Sequence, residues 1–224
     1  YFWFNRHSGL NLPVIAMSNV NLYLKLYMED LEKLVVKDEN TKIVLEEDLD
    51  IKLSVGYIYL DDKERDNFAK GRHEYLIENT QFNEYSLGDN NLVDVCFKNS
   101  VKDLIWFIDY EDRVLGTYED VVKNTKILVN NVTLLNMDNI YTNYVIPYER
   151  YKSCIPDGIN VYSFNLSNYD FQPSGSLNFS MLDNVKFDLT LVSNSLKNKK
   201  IKIFANSYNI LRIMSGLAGL SFYE

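Results

Sequence analysis

Histidine, cysteine, proline and glycine are all scarce in this 224-residue chain, at two, two, four and nine. Two cysteines, Cys96 and Cys154, cannot build a disulfide framework, and so small a number points to a reducing compartment. His7 and His73 lie far apart, with no partner at metal-ligand spacing, whereas a 2-His-1-carboxylate centre needs both plus an acid. Gly216-Leu217-Ala218-Gly219 lacks the Lys and Ser/Thr of a phosphate-binding P-loop. Ser174-Gly175-Ser176 lacks the flanking residues of a nucleophile elbow. No apolar run approaches the roughly 18 residues of a membrane-spanning helix, and the densest, Leu104-Ile105-Trp106-Phe107-Ile108, is strand-sized. Basic charge is in deficit: 23 Lys and Arg face 31 Asp and Glu, leaving −8, which disfavours a protein that lives on phosphate contacts. The chain opens Tyr-Phe-Trp-Phe without a Met or a basic n-region, so no signal peptide is expected and the polypeptide reads as a piece of a longer protein.

What is present is apolar and alternating. Hydrophobic residues make up 46% of the chain, enough for a sizeable core, which excludes intrinsic disorder and favours one β-rich domain. Leu49, Ile51, Leu53, Val55, Tyr57 and Tyr59 occupy every second position, the pattern of a long strand with one apolar face. The same period recurs at Val20-Leu22-Leu24-Leu26 and at Val185-Phe187-Leu189-Leu191. Shorter β-rich runs fall at 75–77, 95–97, 104–108, 126–129, 160–164, 201–204 and 208–213, separated by Asn, Asp and Gly clusters, which predicts a sandwich or barrel. Asparagine occurs 26 times, and Asn tolerates the positive φ that turns otherwise require of glycine. Helical signals are few. Residues 61–71 carry an Asp N-cap and a C-terminal Gly, and a second helix is expected over about 136–145, stopped near Pro147. Acid pairs such as Glu29-Asp30, Glu46-Glu47-Asp48 and Asp61-Asp62 leave open a β-sandwich glycosidase, which needs two facing carboxylates, although acid runs are ordinary solvated features.

Several segments, in order, resemble the major capsid proteins of nucleocytoplasmic large DNA viruses. The opening run, with Trp3, Asn5, Arg6, Gly9 and Pro13, is similar to the stretch that starts that family's second jelly roll. Tyr57-Ile58-Tyr59-Leu60-Asp61 and His73-Glu74-Tyr75-Leu76-Ile77-Glu78 look like its next block, and Val101-Lys102-Asp103-Leu104-Ile105-Trp106 like the strand after it. Gln172-Pro173-Ser174-Gly175-Ser176-Leu177-Asn178-Phe179-Ser180 resembles the family's most recognisable run. Tyr208 to Arg212, with Gly216 and Gly219, resembles its C-terminal strand and tail. Two places depart from the pattern, at Met17-Ser18-Asn19 and at Asn130-Asn131-Val132-Thr133. AT-rich codon usage, read from Asn, Ile, Lys and Tyr, leans toward a mimivirus-like member.

The resemblance implies an all-β fold, an eight-stranded antiparallel jelly-roll sandwich with short helices in its loops. Residues 1–224 would form one such domain, the C-terminal half of a double jelly roll whose first half is not in this chain. It implies a structural protein of the virion, not an enzyme, with no cofactor, metal or catalytic residue. Subunits would form homotrimeric, pseudo-hexagonal capsomers of an icosahedral shell assembled in the host cytoplasm. Partners would be copies of itself, neighbouring capsomers and minor capsid proteins beneath the shell, with no direct nucleic-acid contact and only indirect contact with an internal membrane. Alternatives are a virion-membrane scaffold of the same fold and a carbohydrate-active module. The family-motif residues receive structural roles: Pro173 fixes φ entering a turn, Gly175 adopts backbone closed to a Cβ, and Asn178 satisfies turn amides. Arg212, among apolar neighbours, is expected to need a carboxylate or carbonyl partner, and Trp3 and Trp106 to pack in a core or against a neighbouring roll.

Overall fold

Alternating runs become strands where neighbours hydrogen-bond to them, and the described residues contain ten, all antiparallel. The computed structural model describes residues 2–28, 50–111, 119–168, 170, 172–193 and 196–222. The strands are β1 (His73–Ser86), β2 (Leu92–Val95), β3 (Ser100–Asp109), β4 (Val122–Val129), β5 (Val132–Asp138), β6 (Asn160–Ser163), β7 (Leu177–Asn178), β8 (Val185–Leu191), β9 (Lys200–Met214) and β10 (Leu217–Leu220). One sheet has the order β1-β9-β3-β6, with β7 added to β3 and β10 to β9, and the other has the order β2-β8-β4-β5. The chain passes back and forth between the two layers, which is the jelly-roll arrangement the resemblance implied, with two short strands besides the eight.

The core lies between the sheets. Val185, Phe187, Leu189 and Leu191 of β8 face Leu104, Trp106 and Ile108 of β3 and Ile201, Ile203 and Ala205 of β9, all buried. Trp106 meets Phe187 edge-on at 5.3 Å between ring centroids, the favoured geometry for two aromatic quadrupoles across a layer. Register slips between Val101 and Asp103, so β3 carries a bulge there. Val101 and Leu104, an odd number apart, are thereby both in the core, while Lys102 and Asp103 turn to the sheet's outer side.

Asparagine does much of the turning. Asn91, Asn99, Asn130, Asn131 and Asn198 all hold positive φ, joined among non-glycine residues by Lys152 and Ser215. Asn130 and Asn131, with φ of 49° and 63°, form the two-residue connection between β4 and β5, where right-handed strand twist demands positive φ at both positions.

Several expectations are corrected. Residues 20–28 and 51–59 form no strand; apart from Val20, which packs on the Ala16–Met17 cluster, they stand exposed, while Leu49 lies outside the described residues. Alternation reports only which side a residue would face; without a hydrogen-bonded neighbour it does not make a ladder. The runs at 201–204 and 208–213 are one fifteen-residue strand, continuous because polar Asn206 and Ser207 pair across it. The second helix begins later than expected, because β5 takes residues up to Asp138. It then runs through Pro147 rather than stopping there. A wider π-turn at Tyr141–Val145 precedes the α-helical turns of Ile146–Tyr151, and Pro147 sits in their first turn, where a missing N–H is tolerated. The helix Asp62–Lys70 forms as expected, with the Asp61 carboxylate accepting from Glu64 N at 2.8 Å.

Candidate functional site

The outer side of the larger sheet carries rows of facing side chains set by register. Thr80, Asn206 and Asp103 make one row across β1, β9 and β3; Phe82, Phe204 and Ile105 make the next; Glu84, Lys202 and Phe107 follow. Phe82 packs at a tilt against Phe204, 4.7 Å between centroids, and Lys202 binds Asp109 at 2.6 Å while lying 6.0 Å over the Phe107 ring. The N-terminal segment wraps the end of β1 and β9: Arg6 reaches Glu78 on this outer side, whereas Ala16 and Met17 bury against Ile213, and Trp3 leans on Tyr75 at 6.3 Å, on the opposite one, with Asn19 N donating to Gly216 O at 3.0 Å.

Between this segment and the sheet is a cleft of about 920 Å³, with Phe2, Trp3 and Arg6 on one side and Glu78, Thr80 and Tyr208 on the other. Its floor is a charged cluster. Glu78 accepts from Lys102 Nζ at 2.6 Å through one oxygen and pairs with Arg6 through the other. Lys102 is 4% exposed and Asp103 not exposed at all. Asp103 Oδ1 accepts from Asn206 Nδ2 at 2.6 Å, while Oδ2 has no hydrogen-bond partner and stands 3.9 Å from Lys102 Nζ. Burial pushes the Asp103 carboxyl up to about 6, against the opposing pull of Lys102 and of the Asn206 hydrogen bond. Burial and the neighbouring Asp103 carboxylate also raise the Tyr151 phenol. The cluster can hold a segment of chain by charge. Among the described residues, no three His, Cys, Asp or Glu side chains converge on a point suited to a metal ion.

The residues singled out by sequence are dispersed. Trp3, Arg6, Gly9, Glu74, Gln172 and Pro173 line the cleft. Asn5 lies in the 3₁₀ turn Trp3–Asn5, and Pro13 is buried. The His73 ring bonds the Phe68 carbonyl at 2.7 Å and stacks on the Phe68 ring, closing the helix Asp62–Lys70 onto β1. The Ser174 hydroxyl donates to Ser167 O and accepts from Ser167 N, both at 3.1 Å. Gly175 has φ of +145°, and a Cβ there would lie 2.9 Å from Phe164 O. Asn178 Oδ1 accepts from Ser180 N at 3.1 Å, and Phe179 lies in the core. Gly216 turns β9 into β10 with φ of +81°, and a Cβ there would strike the Asn19 amide; Gly219 faces open space. Arg212 does pair with a carboxylate, Glu74, at 2.9 Å, but both side chains are exposed, because its odd-numbered neighbours face the opposite side of β9. Trp106 sits in the core and Trp3 half-buried outside it. Lys102, Asp103 and Tyr151 carried no assigned role in the sequence. Their signal was two adjacent charges inside an apolar strand, which marks a bulge that sends both to one side.

The two-layer strand order defines a jelly-roll protein. Residues 64–219 match the family model for the large eukaryotic DNA virus major capsid protein, and the chain belongs to that family. Its relatives include the major capsid protein of Pyramimonas orientalis virus, 32% identical over 99% of this chain and 59% of the relative. Probable capsid protein 4 of Acanthamoeba polyphaga mimivirus is 30% identical over 76% of this chain and 38% of its own length. Among solved structures, the PBCV-1 virus capsid matches with a TM-score of 0.67 at 26% identity, over 75% of this chain and 56% of that one. The chain spans between 59% and 65% of the length of three relatives that match 99% of it.

Proposed function

We propose that this chain is the second of two jelly rolls in a major capsid protein, and that three subunits form a pseudo-hexagonal capsomer. Capsomers would tile an icosahedral shell assembled in the host cytoplasm, with minor capsid proteins beneath them and the internal membrane touched only indirectly. The strand order β1-β9-β3-β6 against β2-β8-β4-β5, within the span of the family match, carries the reading.

What the roll leaves uncovered supports it. Of the seven residues of β5 only Leu135 is buried, and Val132, Leu134 and Met137 are exposed beside Ile140, Tyr144 and Tyr148 of the helical turns that follow. An apolar strip of this kind, beside a sheet edge that carries no Lys or Pro, suits contact with a neighbouring subunit. Residues 20–28 and 50–60 add Leu22, Leu24, Leu26, Ile51, Leu53 and Val55, exposed and outside both sheets, which suits completion by the other roll.

The test is sedimentation of the complete polypeptide. A trimer is expected, and Tyr144→Arg with Tyr148→Arg should yield monomers that melt as the wild type does. Wild-type protein that stays monomeric at micromolar concentration overturns the reading. A trimer indifferent to the double substitution removes the contact from this strip.

A further inference from the structure

Asp103 is the fully enclosed member of the charged cluster, and its carboxylate is half-solvated by protein. Lys102 does not complete it, because its short contact goes to Glu78 at 2.6 Å and it remains 3.9 Å from Asp103 Oδ2. The Tyr151 hydroxyl faces the same acid and favours its ionised form, but too loosely to satisfy Oδ2. A negative charge so placed is relieved by water, and the adjoining space from which water can come is the cleft walled by Phe2, Trp3, Arg6 and Leu10. The Arg6 link to Glu78 and the Trp3 contact with Tyr75 hold those residues to the sheet. Ionising Asp103 and opening the cleft are therefore one equilibrium.

We propose that Arg6, Glu78, Lys102 and Asp103 form a proton-operated clamp that seats residues 2–10 on the larger sheet. The clamp closes when Asp103 takes up a proton and loosens when Asp103 releases it. Facing groups from every side tune this switch: Glu78 of β1, Lys102 of β3, Tyr208 of β9, Tyr151 at the end of its helix, Arg6 of the segment itself, and Asp170 at the rim. The inference stands on the cleft alone and does not depend on how subunits associate.

Acrylamide quenching of tryptophan fluorescence in the intact chain tests it. Trp106 is fully enclosed, so quenching reports Trp3, and Trp3→Phe supplies the blank. Quenching should rise about twofold or more between pH 5 and pH 7.5, with a midpoint near the Asp103 titration, and Asp103→Asn should hold the low value throughout. His7→Asn, on the same segment, should leave the response intact. Tyr151→Phe removes a donor that favours the ionised acid and should move the midpoint upward, which keeps the test available if Asp103→Asn does not fold. A flat wild-type profile overturns the clamp, as does a response that survives Asp103→Asn, vanishes in His7→Asn, or keeps its midpoint in Tyr151→Phe.

Discussion

The bulge between Val101 and Asp103 puts two adjacent charges under the N-terminal segment, and only one of them finds a close partner of opposite sign. Ionised Asp103 therefore carries a standing penalty. Its carboxyl is raised from 3.8 to about 6 by burial, so the native state binds a proton more tightly than the unfolded chain does. Above about pH 6 both states are ionised and the native state bears the whole penalty. As pH falls from there toward 4 the native acid is protonated first, and stability rises by up to about 3 kcal/mol from this group. Asp103→Asn should raise the unfolding free energy at pH 7.5 by about 1–3 kcal/mol and flatten its slope between pH 5 and 7.5, measured by urea denaturation. Glu84 works in the opposite sense, because the Lys200 hydrogen bond lowers its pKa and that stabilisation is lost as the carboxylate is protonated at falling pH. The expectations for Gly175 and Asn178 came from intrinsic backbone chemistry, and the φ of +145° at Gly175 and the Asn178 contact with Ser180 N agree with them. Sequence reading had no means to mark Asp103 as buried, because the cover comes from residues about a hundred positions away.

At the scale of elements, the longest alternating run was the poorest guide. Residues 51–59 have the period of a strand yet stand exposed, whereas β1, with Glu78, Thr80, Asn83 and Glu84 among its residues, pairs along all fourteen positions with β9. The difference lies in neighbours: Thr80 bonds Asn206 at 2.6 Å and Glu84 binds Lys200 at 2.7 Å, so polar side chains hold the ladder that an apolar count would overlook. Turn chemistry was more legible, because a left-handed backbone is a local requirement, and the abundance of Asn foretold where glycine was not used. The β4–β5 hairpin makes this testable. Asn130 accepts from Asp183 N and Asn184 N at 3.0 and 3.2 Å and is tied to its place, while Asn131 only has to hold its φ of 63°. Asn131→Gly should be neutral or stabilising by up to about 0.5 kcal/mol, and Asn131→Val should destabilise by about 1–2 kcal/mol, read from thermal melts.

Across the whole molecule, the sandwich from His73 onward holds the main core, and residues 50–60 contribute nothing to it. Leu53→Lys with Val55→Lys should therefore leave the unfolding free energy of the chain within about 0.5 kcal/mol while lowering its tendency to aggregate, followed by light scattering on heating. The larger sheet depends on β9 in another way. That strand lies between β1 and β3 and also carries β10, so His73 must wait for Ile213 and Ser86 for Lys200 before either edge is paired. A ribosome that has delivered β1 and β3 has delivered two strands with a gap the width of one strand between them, and nothing fills it until some hundred more residues have emerged. Most of this chain must then be synthesised before its larger sheet exists, which makes folding slow and non-local and leaves the nascent chain in need of protection from its neighbours on the polysome.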